Sequence, residues 1–501
     1  MLFWTPANLQ VITNGVWLAR PPSNDAFRAP IDGAATDSRS LPANKVFIAL
    51  KGDTFDAHDF LEAVSPAPLV IVNDESKVPA AWRTSNASAP APTPAVLRVE
   101  STLKALQRLA AAYRRALPQL RVVGVTGSNG KTTTTRILDS VLSIKLRGSA
   151  SIKSFNNHIG VPLTLLAARP SDQYVVCEMG MNHAGEIAPL TDMARPDAAV
   201  ITSIGRAHIE NLGSVEAIAK EKASIFAGLK DDGVAVAPAD TALLADYLRR
   251  LPHVVTFGRD QIADLRLTHA EIVHDEAGEA SGQRFTVNGR WTYEIPLVGE
   301  HNIFNACAAI AVARRLGLNE DEITRGLAQA RPPEMRFNRL SIAGVNVIND
   351  AYNASPESVA AALRTFASLW PVGRAARRVL VLGDMLELGE HSDAAHDEIG
   401  RVIAATCPCD VLIMIGPGAS RYEKAAGVNN ARTLRFDSAD DKSCREIAEE
   451  LRAGDAVLLK ASRRMGLERV VKALEQLHAG NAAAAPVVTT RPSPRPTAGA
   501  A

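Results

Sequence analysis

The sequence predicts an α/β protein of three domains: a smaller N-terminal α/β domain, a central parallel sheet bearing a phosphate loop, and a C-terminal Rossmann-like domain. Three observations carry this expectation. The chain has 501 residues, and at roughly 100–200 residues per core it needs about three. From Arg121 onward, short β-branched runs alternate with helix-compatible stretches, as in a parallel sheet covered by helices. A second alternating series begins near Val345, after the helix-breaking run Arg331-Pro332-Pro333, which marks a hinge.

Residues 1–118 are assigned to the first domain. Its strands are read at Lys45–Leu50 and Pro68–Val72, and the Pro/Ala/Ser-rich stretch from Pro79 to Pro94 reads as a long surface loop. The central domain, 119–335, contains RVVGVT (121–126), a helix over 133–142, YVVCEM (174–179), AAVITSI (198–204) and a helix over 215–229. The third domain, 336–480, is read from VNVIND (345–350), RVLVLGD (378–384), DVLIMIG (410–416) and AVLLKAS (456–462). Residues 481–501 carry too little apolar material to pack and are expected to be a disordered tail.

Lys and Arg total 55 against 54 for Asp and Glu, a net charge of +1. Such a balance supplies no global field for nucleic acid or an anionic membrane, so an anionic substrate must be met by local charge. The five cysteines are odd in number and scattered, as expected of free thiols in a reducing compartment. Cys407-Pro408-Cys409 lacks the second pair or neighbouring histidines of a zinc site. The N-terminus has no basic n-region followed by an apolar h-region, and no run reaches the ~20 apolar residues of a membrane span. A soluble cytoplasmic protein is expected.

The strongest local signal is the segment Val122 to Thr133: a strand, a glycine loop (Gly124, Gly127, Gly130) and a helix start. Glycines let the N–H groups of Gly127, Ser128, Asn129 and Gly130 converge on phosphate oxygens. Lys131 supplies a cation, and the hydroxyl of Thr132, followed by Thr133, can ligate Mg²⁺. Val125 stands where a strict Walker loop has glycine, and on this motif alone motor, switch and kinase readings stay open. Two more strands should end nearby. One terminates in Glu178, a candidate Mg²⁺ ligand; the other is followed by Ala207-His208, a candidate metal ligand between strand and helix. Histidine is an unusual partner for so hard a cation, so Mn²⁺ is an expected substitute.

Taken together, TGSNGKTT (126–133), EMGMNHAGEI (178–187), AHIENLGSVEAIAKEK (207–222), GEHNIFNACAA (299–309), NDAYNASPES (349–358), LGDMLELGE (382–390) and KASRRMGLE (460–468) resemble the Mur ligase family in order. The resemblance covers roughly residues 30 to 475. It implies an ATP-dependent, ADP-forming amide ligase of cytoplasmic peptidoglycan precursor synthesis, working through an acyl phosphate. Asp350-Ala351-Tyr352-Asn353-Ala354-Ser355-Pro356 resembles the branch that joins D-Ala-D-Ala to a UDP-N-acetylmuramoyl-tripeptide. It differs from the motifs of members adding a single amino acid, and the third peptide residue is meso-diaminopimelate or lysine. A ligase adding one amino acid and a nucleotide-dependent switch are the alternatives. A monomer is expected. Two departures from the family pattern are Ser203, where asparagine is usual, and Ala57 within Asp56-Ala57-His58-Asp59-Phe60.

The resemblance further implies residue roles. Asp37-Ser38-Arg39 and the segment from Lys51 to Asp56 would hold the UDP end of the substrate, and Asn156 and Asn157 would be substrate-side contacts. Adenine is expected near His301, Asn302 and Asn305, which a helix starting there presents together. The third domain would close over the nucleotide to exclude water, bringing Asp350, Tyr352 and Asn353, with Arg336 from the hinge. Ser355-Pro356-Glu357 reads as a helix start, so these residues should precede a helix N-terminus. Finally, Lys222 shares a helical stripe with Val215, Ile218, Ile225 and Leu229 and should face inward, whereas Lys220, about 200° round the helix, should be solvated. Burial lowers a lysine's pKa and frees its amine to react with CO₂. The resemblance implies a carbamate on Lys222 that joins Thr132, Glu178 and His208 in binding metal.

Overall fold

The computed structural model describes residues 2–83, 94–152, 155–276, 278–371, 376–427 and 431–483. Three sheets form, one in each of the three segments read from the sequence. By contact the chain divides into two compact units, Met1–Pro333 with Glu387–His391, and Glu334–Leu386 with Ser392–Ala501.

The first sheet runs in the order β1-β5-β4-β3-β2, with β1 Val16–Ala19, β2 Ala34–Ala35, β3 Val46–Ile48, β4 Leu69–Val72 and β5 Ala95–Arg98. Strands β2 to β5 are parallel, and β1 adds antiparallel at the edge. The Pro79–Pro94 loop begins with a short helix, Ala80–Arg83, and most of the rest lies outside the described residues. The helix Thr102–Ala116 leads into the next sheet. Its Arg114, buried, reaches Asp197 at 3.0 Å and the carbonyl of Ala194 at 2.9 Å, and Tyr113 donates to the carbonyl of Ala168.

The second sheet has nine strands in the order β14-β13-β12-β11-β10-β9-β6-β8-β7. Their ranges are β6 Arg121–Thr126, β7 Gly148–Ala150, β8 Tyr174–Glu178, β9 Ala198–Ile201, β10 Val234–Pro238, β11 Val254–Gly258, β12 Leu265–His274, β13 Ala280–Val287 and β14 Trp291–Ile295. From β7 to β12 the pairing is parallel; β12 to β14 form an antiparallel extension. Val123, Val125, Val200 and Val236 share a core with Ile137 and Val141 of the helix Lys131–Leu142 and Ile303 and Ile310 of the helix Glu300–Arg315. The run Ala306–Ala309 is apolar all round the latter helix, as suits an element wedged inside a core. The helix expected over 215–229 is shorter: it spans Val215–Ala223 and passes into a 3-10 turn over Ser224–Gly228, after which Leu229 is extended.

The third sheet runs β15-β16-β20-β17-β18-β19, with β15 Asn338–Ile342, β16 Val345–Asn349, β17 Arg378–Gly383, β18 Val411–Ile415, β19 Arg432–Phe436 and β20 Ala456–Lys460. Except for β15, which forms an antiparallel hairpin with β16, it is parallel. The helix expected after Ser355 is Pro356–Leu369, with Ser355 capping Ser358 reciprocally. The last helix, Glu468–Ala483, takes in residues 481–483 of the expected tail 481–501, so that stretch is helical; residues 484–501 lie outside the described residues. No helix among the described residues is long and apolar enough to cross a membrane.

Candidate active site

Strand β6 lies between β8 and β9, so the segments leaving their carboxyl ends converge. The segment after β6 is the glycine loop. Gly127 has φ +150° and Gly130 φ +85°. A Cβ on Gly127 would collide with the Thr202 hydroxyl, and one on Gly130 would lie 2.5 Å from Asn305 Oδ1, so both positions require glycine. The segment after β9 clasps the loop from outside. Ser128 N donates to the Ser203 carbonyl at 2.9 Å, Ser128 Oγ donates to the Gly205 carbonyl at 3.0 Å, and Asn129 N donates to Ser203 Oγ at 2.9 Å. Ser203, the departure from the family pattern, thus holds the backbone of the phosphate loop. Lys131 begins the helix and folds its Nζ back onto the Gly127 carbonyl at 2.8 Å. Thr133 is buried behind it.

Glu178 closes β8 and is 1% exposed. Its Oε2 accepts from Thr132 Oγ1 at 2.8 Å, and its Oε1 accepts from Asn156 Nδ2 at 2.9 Å. Both donors are neutral, an arrangement into which a divalent cation fits. Among the described residues no three His, Cys, Asp or Glu side chains are grouped so as to hold a metal ion; magnesium commonly completes its shell with hydroxyl, phosphate or water oxygens. Asn157 serves its own turn: Oδ1 accepts from Ile159 N at 3.1 Å and Gly160 N at 2.9 Å, at the start of the helix Gly160–Leu166.

His208 adopts a left-handed backbone, φ +65°, ahead of the short helix Ile209–Leu212. Its Nδ1 is 2.6 Å from Glu387 Oε2. A carboxylate beside Nδ1 is a pattern common to metal-binding histidines, which then present Nε2.

Lys222 is 1% exposed and Lys220 exposed, as the helical stripe predicts. Burial holds the Lys222 amine well below the ordinary lysine range, and the nearby charge of Lys131 lowers it further, against a smaller opposing pull from Glu221. Glu221 is itself a residue that the sequence reading missed. Its carboxylate accepts from Gly185 N at 2.8 Å and Ile187 N at 2.9 Å, tying the Lys222 helix to the segment that follows Glu178. Its only sequence signal is a carboxylate beside an inward lysine.

Asn302 and Asn305 are buried against the phosphate-loop helix. Asn305 Oδ1 accepts from Thr134 Oγ1 at 3.1 Å, and Asn302 Nδ2 donates to the Val298 carbonyl at 2.8 Å; His301 beside them is partly exposed. In the first sheet, Arg39 forms an exposed bidentate pair with Asp37, whose carboxyl falls to about 2 through the hydrogen bonds from Arg39. Ser38 shares that turn, and Lys51 is exposed.

In the second unit, Arg336, Asp350, Tyr352 and Asn353 come together at the adjoining ends of β16 and β20. Asp350 Oδ1 accepts from Phe337 N at 3.1 Å, and Oδ2 accepts from Lys460 Nζ at 2.6 Å. Lys460, buried, also donates to the Asn353 carbonyl at 3.0 Å. The Arg336 guanidinium stacks 4.1 Å from the centre of the Tyr352 ring, with Arg463 at 5.8 Å. The positioning role of Lys460 was not read from the sequence, although a lysine closing an apolar strand next to an Asp-bearing one signals it.

The model of the Mur ligase middle domain matches residues 125–313, and that of the Mur ligase, glutamate ligase domain matches residues 335–463. A UDP-N-acetylmuramoyl-tripeptide--D-alanyl-D-alanine ligase of Bacillus subtilis is 39% identical over 89% of this chain and 93% of its own. Its Escherichia coli counterpart is 32% identical over 89% and 94%. Among solved structures, MurF from Acinetobacter baumannii superposes with a TM-score of 0.79 at 30% identity, covering 94% of this chain and 99% of that one. MurF from Thermotoga maritima, in complex with ADP, gives 0.74 at 28% identity over 90% and 98%. The chain therefore belongs to the Mur ligase family.

Proposed function

We propose that this chain is an ATP-dependent ligase that joins D-Ala-D-Ala to a UDP-N-acetylmuramoyl-tripeptide in the cytoplasm, as a step of peptidoglycan precursor synthesis. The observation that carries the reading is the Thr132–Glu178 pair, 2.8 Å apart beneath a glycine loop in a family member whose relatives over nearly the full chain are ligases of that name. The substrate carboxylate attacks the γ-phosphorus of ATP, ADP leaves, and an acyl phosphate forms. The dipeptide amine then attacks the acyl carbon, phosphate leaves, and the amine proton passes to solvent.

Each residue has a task in that sequence. Lys131 neutralises charge on the β- and γ-phosphates, and the loop N–H groups orient them. Thr132, Glu178 and His208 would hold Mg²⁺, which supplies charge compensation at the transferring phosphoryl group. Burial, which disfavours the charged form of the Lys222 amine, suits it to carbamate formation, and the carbamate would place an oxygen ligand there. Asn302, Asn305 and His301 would face adenine. Arg336, Asp350, Tyr352 and Asn353 would complete the site from a C-terminal domain, and Ser38, Arg39 and Lys51 would meet the UDP end in a separate N-terminal one. The test is phosphate release in a coupled assay. Release that requires ATP, the UDP-peptide and D-Ala-D-Ala together supports the reading, and release indifferent to either acceptor or donor peptide removes it.

A further inference from the structure

His58, paired with Asp56 at the end of the segment read as holding the UDP end, has no part in the machinery above. In the N-terminal sheet, β2, β3 and β4 are parallel neighbours, so the segments leaving their carboxyl ends lie side by side. That after β3 is a tight hairpin, Lys51 to Asp56, in which Gly52 N donates to the Phe55 carbonyl at 2.8 Å and Phe55 is 74% exposed. The segment after β4 begins at Asn73. His58, 3% exposed, bridges the two: Nδ1 is 2.6 Å from Asp56 Oδ1, and Nε2 accepts from Asn73 N at 3.2 Å. An Nε2 that accepts carries no proton, so Nδ1 bears the ring hydrogen and donates it to Asp56. Asp56 also accepts from His58 N at 3.0 Å and Lys77 Nζ at 2.9 Å. Burial opposes the charge on Asp56, but the hydrogen bonds from Lys77 and His58 outweigh it and hold this carboxyl far below the usual range.

We propose that His58 is a positioning residue: through Asp56 it sets the Lys51–Asp56 hairpin so that exposed Lys51 and Phe55 meet the uridine diphosphate end of the peptide substrate. The proposal rests on the ligase reading given above. It makes the two faces of the imidazole unequal. The Asp56 face governs the hairpin, and the Asn73 face holds the segment that leaves the central strand β4.

Two substitutions separate the faces. His58→Asn places an amide N–H where Nδ1 stands and nothing at Nε2; His58→Gln reaches the Nε2 position and leaves Asp56 without its ring donor. His58→Gln is expected to raise KM for the UDP-peptide about tenfold, the loss of one hydrogen bond to a charged group, with kcat and KM for ATP within about twofold. His58→Asn is expected to stay within about threefold of the unmodified protein in all three constants. Equal KM values for the UDP-peptide in both variants, or a KM for ATP that rises in step, overturn the proposal, since a merely structural histidine would act that way. Should His58→Gln fail to fold, Asp56→Asn takes its place, with the same UDP-specific rise in KM expected and an unchanged KM overturning the proposal. An unmodified protein that turns over without the UDP-peptide overturns the ligase reading itself, and this inference with it.

Discussion

Replacing Glu178 by glutamine removes a charge and a metal-binding oxygen while nearly preserving shape. The carboxylate accepts two side-chain hydrogen bonds, from Thr132 Oγ1 and Asn156 Nδ2. A glutamine keeps one accepting oxygen, and its NH₂ then faces either a hydroxyl that can rotate to accept or an amide that can turn over. At most one hydrogen bond is compromised, so the folding cost is about 1 kcal/mol, a shift of a few degrees in Tm. The cost at the transferring phosphoryl group is larger. Removing one preorganised electrostatic partner lowers turnover by about 10²–10³-fold, roughly 2.7–4 kcal/mol. The assay is phosphate release against Mg²⁺ concentration, run beside thermal denaturation. The expected result is a small change in Tm with a Mg²⁺ midpoint raised by at least about tenfold. An unchanged midpoint and full turnover would remove Glu178 from the metal site.

Lys131→Ala should abolish ligation, because the phosphate charge it compensates in the transition state then goes unmet, a loss of several kcal/mol; near-normal turnover would take the loop out of the mechanism. Lys222→Ala should lose most activity and regain part of it with added short carboxylates, whereas Lys220→Ala, at an exposed site, should be nearly normal; full activity of Lys222→Ala without additive contradicts the carbamate. The Lys222 amine also predicts a pH effect on stability. Its folded pKa lies below the ordinary 10.5, so between the two values the unfolded chain binds the extra proton and stability rises with pH. In CO₂-free buffer, Lys222→Met should therefore be more stable than the unmodified protein at neutral pH, and the gap should narrow as pH approaches 10; a gap independent of pH refutes the burial argument.

The fold was legible where periodicity and loop chemistry agree. Val122–Thr133 reads as strand, glycine loop and helix because each residue type fits only that order, and β6 with the helix Lys131–Leu142 follows it. The inward face of Lys222 was equally plain, since its neighbours at three, four and seven residues are apolar. The length of that helix was not. Ser224 onward keeps the apolar stripe while tightening into a 3-10 turn, a change in backbone hydrogen bonding that a side-chain pattern cannot report. Nor did the sequence reveal the antiparallel hairpin of β15 with β16 ahead of the parallel strands, or the division of labour between Asn156 and Asn157. Adjacent asparagines look alike as letters; one reaches across 22 positions to Glu178 and the other caps its own turn. Lys460 and Glu221 were missed for the same reason, because their partners Asp350 and Ile187 are distant in sequence and close only through sheet pairing and helix packing.

The central claim is that a substrate carboxylate becomes an acyl phosphate before the amine attacks. It is tested most directly by supplying a UDP-N-acetylmuramoyl-tripeptide whose terminal carboxylate carries heavy oxygen, with ATP, Mg²⁺ and D-Ala-D-Ala, and weighing the products by mass spectrometry. The expected products are a UDP-linked pentapeptide and inorganic phosphate that carries one heavy oxygen in each molecule released. Phosphate formed without any heavy oxygen, its fourth oxygen drawn from water, would contradict the claim.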